Sequence, residues 1–135
     1  MGGETNLARL IAGMTPKLLP GVFVFATLPP GANPGGIEPL MTFRESEGVT
    51  LILDEGEARK AGIAGTFRSR MITLEIHSSL DAVGFLAAIT ARLAEAGMGV
   101  NPVSAFHHDH LFVPVDRAEE ALLILDQLAA EASRP

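Results

Sequence analysis

The sequence predicts an α+β fold of the split β-α-β kind. Three observations lead to it. From Met71 onward the polarity pattern reads strand, helix, strand, strand, helix. The last two strands are joined by a polar hairpin tip, His107-His108-Asp109-His110, instead of a helix. The first half adds three strand-sized apolar runs separated by turn residues. With 135 residues, 47% of them hydrophobic, the chain can bury a core as one compact domain or as two small fused lobes.

Leu7, Leu10, Ile11 and Met14 recur at helical spacing and form one apolar face. Thr15-Pro16 fits a cap and first position of another short helical turn, before Leu18-Leu19-Pro20-Gly21. Val22 to Leu28 is apolar on both faces and reads as a central strand. The run from Pro29 to Gly36 is too rich in Pro and Gly for regular structure. Leu40–Arg44 and Val49–Leu53 are short strands with a turn at Glu45-Ser46-Glu47-Gly48. Asp54 and Glu57 have capping-box spacing and open a short helix ending near Gly62.

In the second half, Ile72, Leu74 and Ile76 alternate with Thr73, Glu75 and His77, so one strand face is buried. A helix over Ala82–Ala96 carries Val83, Leu86, Ile89, Thr90 and Leu93 on one side and stops at Gly97. Strands follow over Val100–Phe106 and Leu111–Val115. Asp116 then begins a helix whose buried face is Ala118, Ala121, Leu122, Leu125, Leu128 and Ala129. This β-α-β-β-α order lacks one edge strand, and the unpaired edge calls for a donor from the first half or from another subunit.

Composition removes several function classes. There is no Cys, hence no disulfide, thiolate metal site or cysteine nucleophile. The net charge is −6 and the densest basic spot is Arg68-Ser69-Arg70, which disfavours nucleic acid as a partner. Apolar runs are strand-sized, so no membrane partner is expected. The start Met1-Gly2-Gly3-Glu4-Thr5-Asn6 has neither a secretion-signal nor a myristoylation pattern, and the expected location is cytoplasmic.

The five-element order and the loop Ser78-Ser79-Leu80-Asp81-Ala82-Val83-Gly84 resemble an ACT domain. Within that superfamily the chain is similar to small bacterial stand-alone tandem ACT proteins, related to the ACT domains of amino-acid sensors. The match is carried by Pro16-Lys17-Leu18-Leu19-Pro20-Gly21-Val22-Phe23-Val24-Phe25 and Phe43-Arg44-Glu45 in the first half. In the second half it is carried by Ile72 through Gly84 and by His108-Asp109-His110-Leu111-Phe112-Val113-Pro114. The resemblance implies a ferredoxin-like βαββαβ fold in two pseudo-repeated lobes, with strand exchange between lobes or subunits as one way to complete the sheet. The expected division is an N-terminal lobe over 1–68 and a C-terminal ACT domain over 69–135. The resemblance also implies ligand sites at interfaces between ACT units, contacted by the first β-to-α loop, and it names no ligand. The leading expectation is a non-enzymatic regulatory protein that binds an amino acid or similar small molecule and forms a homodimer through the wet sheet face or the open edge. No cofactor is expected.

The candidate ligand-binding residues are Ser78, Ser79, Leu80, Asp81, Ala82, Val83, Gly84 and Asn101. Backbone N–H groups at a helix start attract a carboxylate, Gly84 admits close approach, and Asp81 can face an ammonium group. Many ACT ligand loops carry Asp-Arg-Pro-Gly where this chain has Leu-Asp-Ala-Val-Gly, so only Asp81 and Gly84 carry over. The same residues also fit a plain cap, with Ser79 or Asp81 as N-cap. Asn101 opens the second strand of the half, expected beside the first, where ACT units often place an Asn facing the loop. Its plainer role is to bond its own backbone at strand entry.

His77, His108 and His110 compose an alternative, a metal-binding module, although a site of this kind wants three or four ligands and the tip also reads as a polar turn with Asp109 reversing the chain. A ligand-free oligomerisation domain is a further alternative. Ser78, His108 and Asp109 supply triad residue types in no recognised motif, so no catalytic residue is expected.

Overall fold

A computed structural model describes residues 6–76 and 82–134 of the chain. The elements in order are α1 (Leu7–Gly13), β1 (Thr15–Leu18), β2 (Phe23–Leu28), β3 (Met41–Arg44), β4 (Val49–Asp54), α2 (Glu55–Lys60), β5 (Thr66–Glu75), α3 (Phe85–Glu95), β6 (Asn101–Ser104), β7 (Asp109–Pro114) and α4 (Ala118–Ala132). They form two compact units, one of residues 1–20 with 70–135 and one of residues 21–69. The fold is mixed α+β with antiparallel strand pairs, as the sequence predicts.

In the larger unit the strand order is β1-β5-β7-β6. This is the split β-α-β order, with β1 as the closing edge strand. Thr15 pairs Glu75 and Leu18 pairs Ile72, antiparallel. The Leu19 N–H continues the ladder to the Met71 carbonyl at 3.0 Å. The edge missing from the second half is therefore supplied by the first residues of the same chain. The expected helical turn at Thr15-Pro16 is corrected by this pairing. Pro16 is tolerated because an edge strand does not need every N–H.

Helices α3 and α4 cover one face of this sheet, and α1 packs on both. Leu10, Ile11, Ile72, Leu74, Phe85, Ile89, Leu93, Leu111, Val113 and Leu125 form the shared core. Arg117 joins the two covering helices. Its guanidinium donates to the carbonyls of Ala96 at 2.9 Å and Gly97 at 3.1 Å, where α3 ends. It also grips Glu120 of α4 through two bonds. Asp116 lies in a 3-10 turn, Val115–Arg117, ahead of α4 and does not begin the helix.

The smaller unit repeats the order with different parts: β3-β4-β2 and then the start of β5. Between β2 and β3, where the split β-α-β pattern has its first helix, stands the Pro- and Gly-rich stretch from Pro29 to Leu40. Ile37 from this stretch packs on a core of Val24, Val49, Leu51, Leu53 and Ala58. Asp54 caps α2, its Oδ1 accepting from the N–H groups of Gly56 at 2.8 Å and Glu57 at 3.2 Å. The reciprocal half of the capping box does not form. Glu57 Oε1 instead accepts from the Glu38 N–H at 2.6 Å and ties the loop to the helix.

Candidate functional site

The predicted loop leaves β5 and enters α3. Ser78, Ser79, Leu80 and Asp81, with His77 before them, lie outside the described residues. Ala82, Val83 and Gly84 are described. Helix α3 begins at Phe85, with Gly84 as N-cap at φ +87° and ψ −8°. That moves the helix start past the expected Ala82, and the N-cap is neither Ser79 nor Asp81. The left-handed backbone is why glycine stands there. Room is not the reason, since an added Cβ would meet only Leu7 Cδ2 at an ordinary 3.6 Å.

A glycine brings no side chain to cap the helix. The N–H groups of Phe85, Leu86 and Ala87 have no carbonyl four residues back within α3, so they form a polar, partly positive end. Phe85 is buried and anchors this end in the core, whereas Val83 is 83% exposed. The sequence expectation of Val83 on the buried face is thereby corrected: the buried face is Phe85, Ile89 and Leu93.

Asn101 opens β6 as expected and pairs with Phe112 of β7. However, β7 lies between β5 and β6. Asn101 is not beside the first strand but two strands from it, about 10 Å at ordinary strand spacing. The hairpin fixes only that β6 pairs with β7; it is β7, the second of the two, that lies against β5.

The hairpin tip turns at residues 105–108, where the Ala105 N–H bonds the His108 carbonyl at 3.0 Å. Asp109 does not make the turn. It starts β7 and accepts from Ser104 Oγ at 2.6 Å. His108 ends the turn ahead of β7, and its ring centroid lies 6.5 Å from that of His110 in the strand. His110 Nδ1 meets the hydroxyl of buried Thr73 at 3.0 Å. Burial, then the neighbouring His108, hold the His110 pKa below the ordinary imidazole range, with Asp109 opposing. His108 Nδ1 is shielded from solvent without a hydrogen-bond partner. Among the described residues no group of three or more His, Cys, Asp or Glu could hold a metal ion. Asp109 is spent on Ser104 and does not orient His108.

In the smaller unit the charged residues outside the sequence candidates gather on α2. Glu55 forms a two-bond ion pair with Arg68 and a 3.6 Å contact with Arg59, and Arg68 holds the Glu55 carboxyl below its usual range. Asp54, Glu57 and Lys60 line an open depression of about 550 Å³ next to Gly36 and Ile37. Sequence reasoning missed this feature, because nothing local shows that a loop stands in for a helix there.

Comparison with known proteins follows this geometry. Residues 2–70 match one family model described as an ACT domain, and residues 66–127 match a second. The chain is 40% identical to a Vibrio cholerae protein of unknown function, described as a possible transport protein, covering 91% of this chain and 95% of that one with a TM-score of 0.83. A protein from Agrobacterium tumefaciens is 19% identical over 86% of this chain and 89% of its own, TM-score 0.73. The regulatory subunit of aspartate kinase from Thermus flavus is 14% identical over 86% of this chain and 96% of its own, TM-score 0.57. The last two likenesses speak to the fold alone. No curated protein matches the chain.

Proposed function

The chain belongs to the ACT-domain family, with two such domains in tandem, and from that premise we propose that it is a non-enzymatic regulatory protein that binds an amino acid. ACT domains are commonly regulatory modules for small ligands. The observation that carries the reading is the start of α3. Gly84 as N-cap gives the first amides no side-chain cap, and among the described residues no other side chain supplies one, directly after the polar loop that the family uses for ligands. A carboxylate is the natural partner for such a helix end. In this reading the loop Ser78, Ser79, Leu80, Asp81, Ala82, Val83 and Gly84, continued by the N–H groups of Phe85 and Leu86, holds the ligand carboxylate. Asp81 takes the ammonium group. Asn101 is the alternative partner for the ammonium group, although it lies on β6, two strands from β5.

The reading extends to a cytoplasmic homodimer with neither nucleic-acid nor membrane partners. Among the described residues no helix is long and apolar enough to cross a membrane. The family matches over 2–70 and 66–127 support two functional copies at 1–68 and 69–135. The compact units cut across that division, because α1 and β1 pack with the second copy.

Equilibrium dialysis of the purified chain against each of the twenty proteinogenic amino acids tests the reading. Saturable retention of at least one is expected, with Asp81→Ala losing it while costing the fold only about 1 kcal/mol. Retention by Asp81→Ala equal to the parent would remove Asp81 from the site. Retention of none would remove the function.

A further inference from the structure

We propose that α1 is a strap that ties the exit of β5 to the start of α3, so that the order of α1 and the geometry of the α3 start change together. Its part in regulating the ligand site rests on the reading above, whereas the tie itself rests on contacts alone.

Strand pairing places the two elements. Thr15 stands opposite Glu75, so the last turn of α1 lies beside the exit of β5. Gly13 closes that turn, and a Cβ there would lie 2.9 Å from Ile76 Cδ1. Glycine permits this approach, and any side chain must push Ile76 aside. The helix has seven residues, a length of about 10 Å. At its other end Leu7 Cδ2 lies 3.6 Å from the position of a Cβ on Gly84, the N-cap of α3. Between these ends Leu10 and Ile11 share the core with Phe85 and Ile89 of α3. One short helix thus touches both flanks of the connection, Ile76 after β5 and Gly84 before α3.

Seven residues are too few to hold a helix alone in water, where about 12 or more are needed. The first turn of α1 has no acidic residue and the last no basic one, so charge gives the dipole no support. Asn6 caps it, its Oδ1 accepting from the Arg9 N–H at 3.0 Å. The rest of its order comes from docking. A displacement of Ile76 meets α1 without slack at Gly13. A displacement of α1 reaches Gly84, whose carbonyl accepts the bond that opens α3, from the Ala88 N–H at 2.9 Å. Coupling of this kind is reciprocal. A ligand that fixes the α3 start orders α1, and a loosened α1 weakens the ligand.

Amide hydrogen exchange of the full chain tests the tie without a ligand. Gly13→Ala should speed exchange at Ala88 about tenfold, while amides of β7, between β5 and β6 in the same sheet, keep the parent rate. Alanine is the better helix former, so an effect confined to α1 itself would run the other way. Ile76→Val in that background removes the Cδ1 atom that the new methyl meets, and Ala88 should return to the parent rate. Leu7→Ala, at an exposed position, should loosen Ala88 with Gly13 intact. Equal acceleration in β7, an unchanged Ala88 in both variants, or no recovery with Ile76→Val overturns the proposal. Titration with each of the twenty L-amino acids separates it from the ligand reading. Where the parent binds one, saturation should slow exchange at Leu10, whose N–H bonds the Asn6 carbonyl at 2.9 Å. Gly13→Ala and Leu7→Ala should each bind it at least about threefold more weakly. Parent affinity retained in both overturns the regulation and leaves the ligand reading standing. Binding of none by the parent sinks the ligand reading and the regulation with it, and exchange at Ala88 then decides the tie by itself.

Discussion

His110 couples the sheet of the larger unit to pH. Its ring is half-buried, bonded to Thr73 and close to His108, and burial keeps its pKa below the ordinary value. The folded chain therefore holds that ring neutral at a pH where the unfolded chain protonates it. Below an unfolded imidazole pKa of about 6.5 the unfolded state binds more protons, so stability falls as pH drops from there toward the folded value. Above that window His110 contributes no slope. Thermal unfolding at fixed ionic strength should show a midpoint that decreases from pH 7 to pH 5, and His110→Gln should decrease less. Equal slopes in both proteins would place the pH response elsewhere.

Gly48 is fixed by contact. A Cβ there would lie 2.5 Å from the Leu28 carbonyl oxygen and 2.7 Å from Thr27 Oγ1. The neighbour is backbone in a paired strand and cannot move aside cheaply. Gly48→Ala should cost about 1–3 kcal/mol in denaturant unfolding. The sequence shows a turn at this glycine, but the close approach depends on the pairing of Leu28 with Val49, a non-local contact between β2 and β4.

At the scale of elements, the chain's first turns complete a sheet begun far downstream. Leu10 is fully buried in the core shared by α3 and α4. Leu10→Ala should cost about 2–5 kcal/mol, a loss out of proportion to a helix of seven residues near the N-terminus. A cost below about 1 kcal/mol would mean that α1 is peripheral. Arg117 makes a second tie, between the end of α3 and the start of α4, through carbonyls that would otherwise lack donors. Arg117→Ala should lower the unfolding midpoint. Arg117→Lys should recover only part of it, because an ammonium cannot reproduce the guanidinium fork. Full recovery by Lys would reduce the role of Arg117 to charge.

These elements also show what was legible. The five-element order of the second half follows from apolar spacing, and it stands. The donor strand β1 was not legible as a strand. Thr15-Pro16-Lys17-Leu18 has only one buried residue, Pro16, and its extended form is imposed by pairing with β5 rather than by its own pattern. The start of α3 was misplaced because Ser79 and Asp81 are good caps and Ala82-Val83 extends the apolar pattern. The left-handed Gly84 ends that extension, and no propensity announces it. Asn101 was placed one strand too near β5, since strand order is a tertiary property.

At the scale of the molecule, each unit uses the same strand order and fills it differently. The larger recruits β1 as its edge strand, and the smaller has a loop in place of the first helix of the pattern. Among the described residues neither arrangement presents an assembled catalytic set, and none of them supplies a side-chain cap to the start of α3, an end that suits a ligand carboxylate. Binding should therefore stabilise the folded chain by mass action. The most direct test is the unfolding free energy of the purified chain with each of the twenty amino acids. The account predicts that at least one raises it saturably, by about 2.7 kcal/mol at a hundred times its Kd. Unchanged stability with all twenty, up to high millimolar concentration, would contradict it.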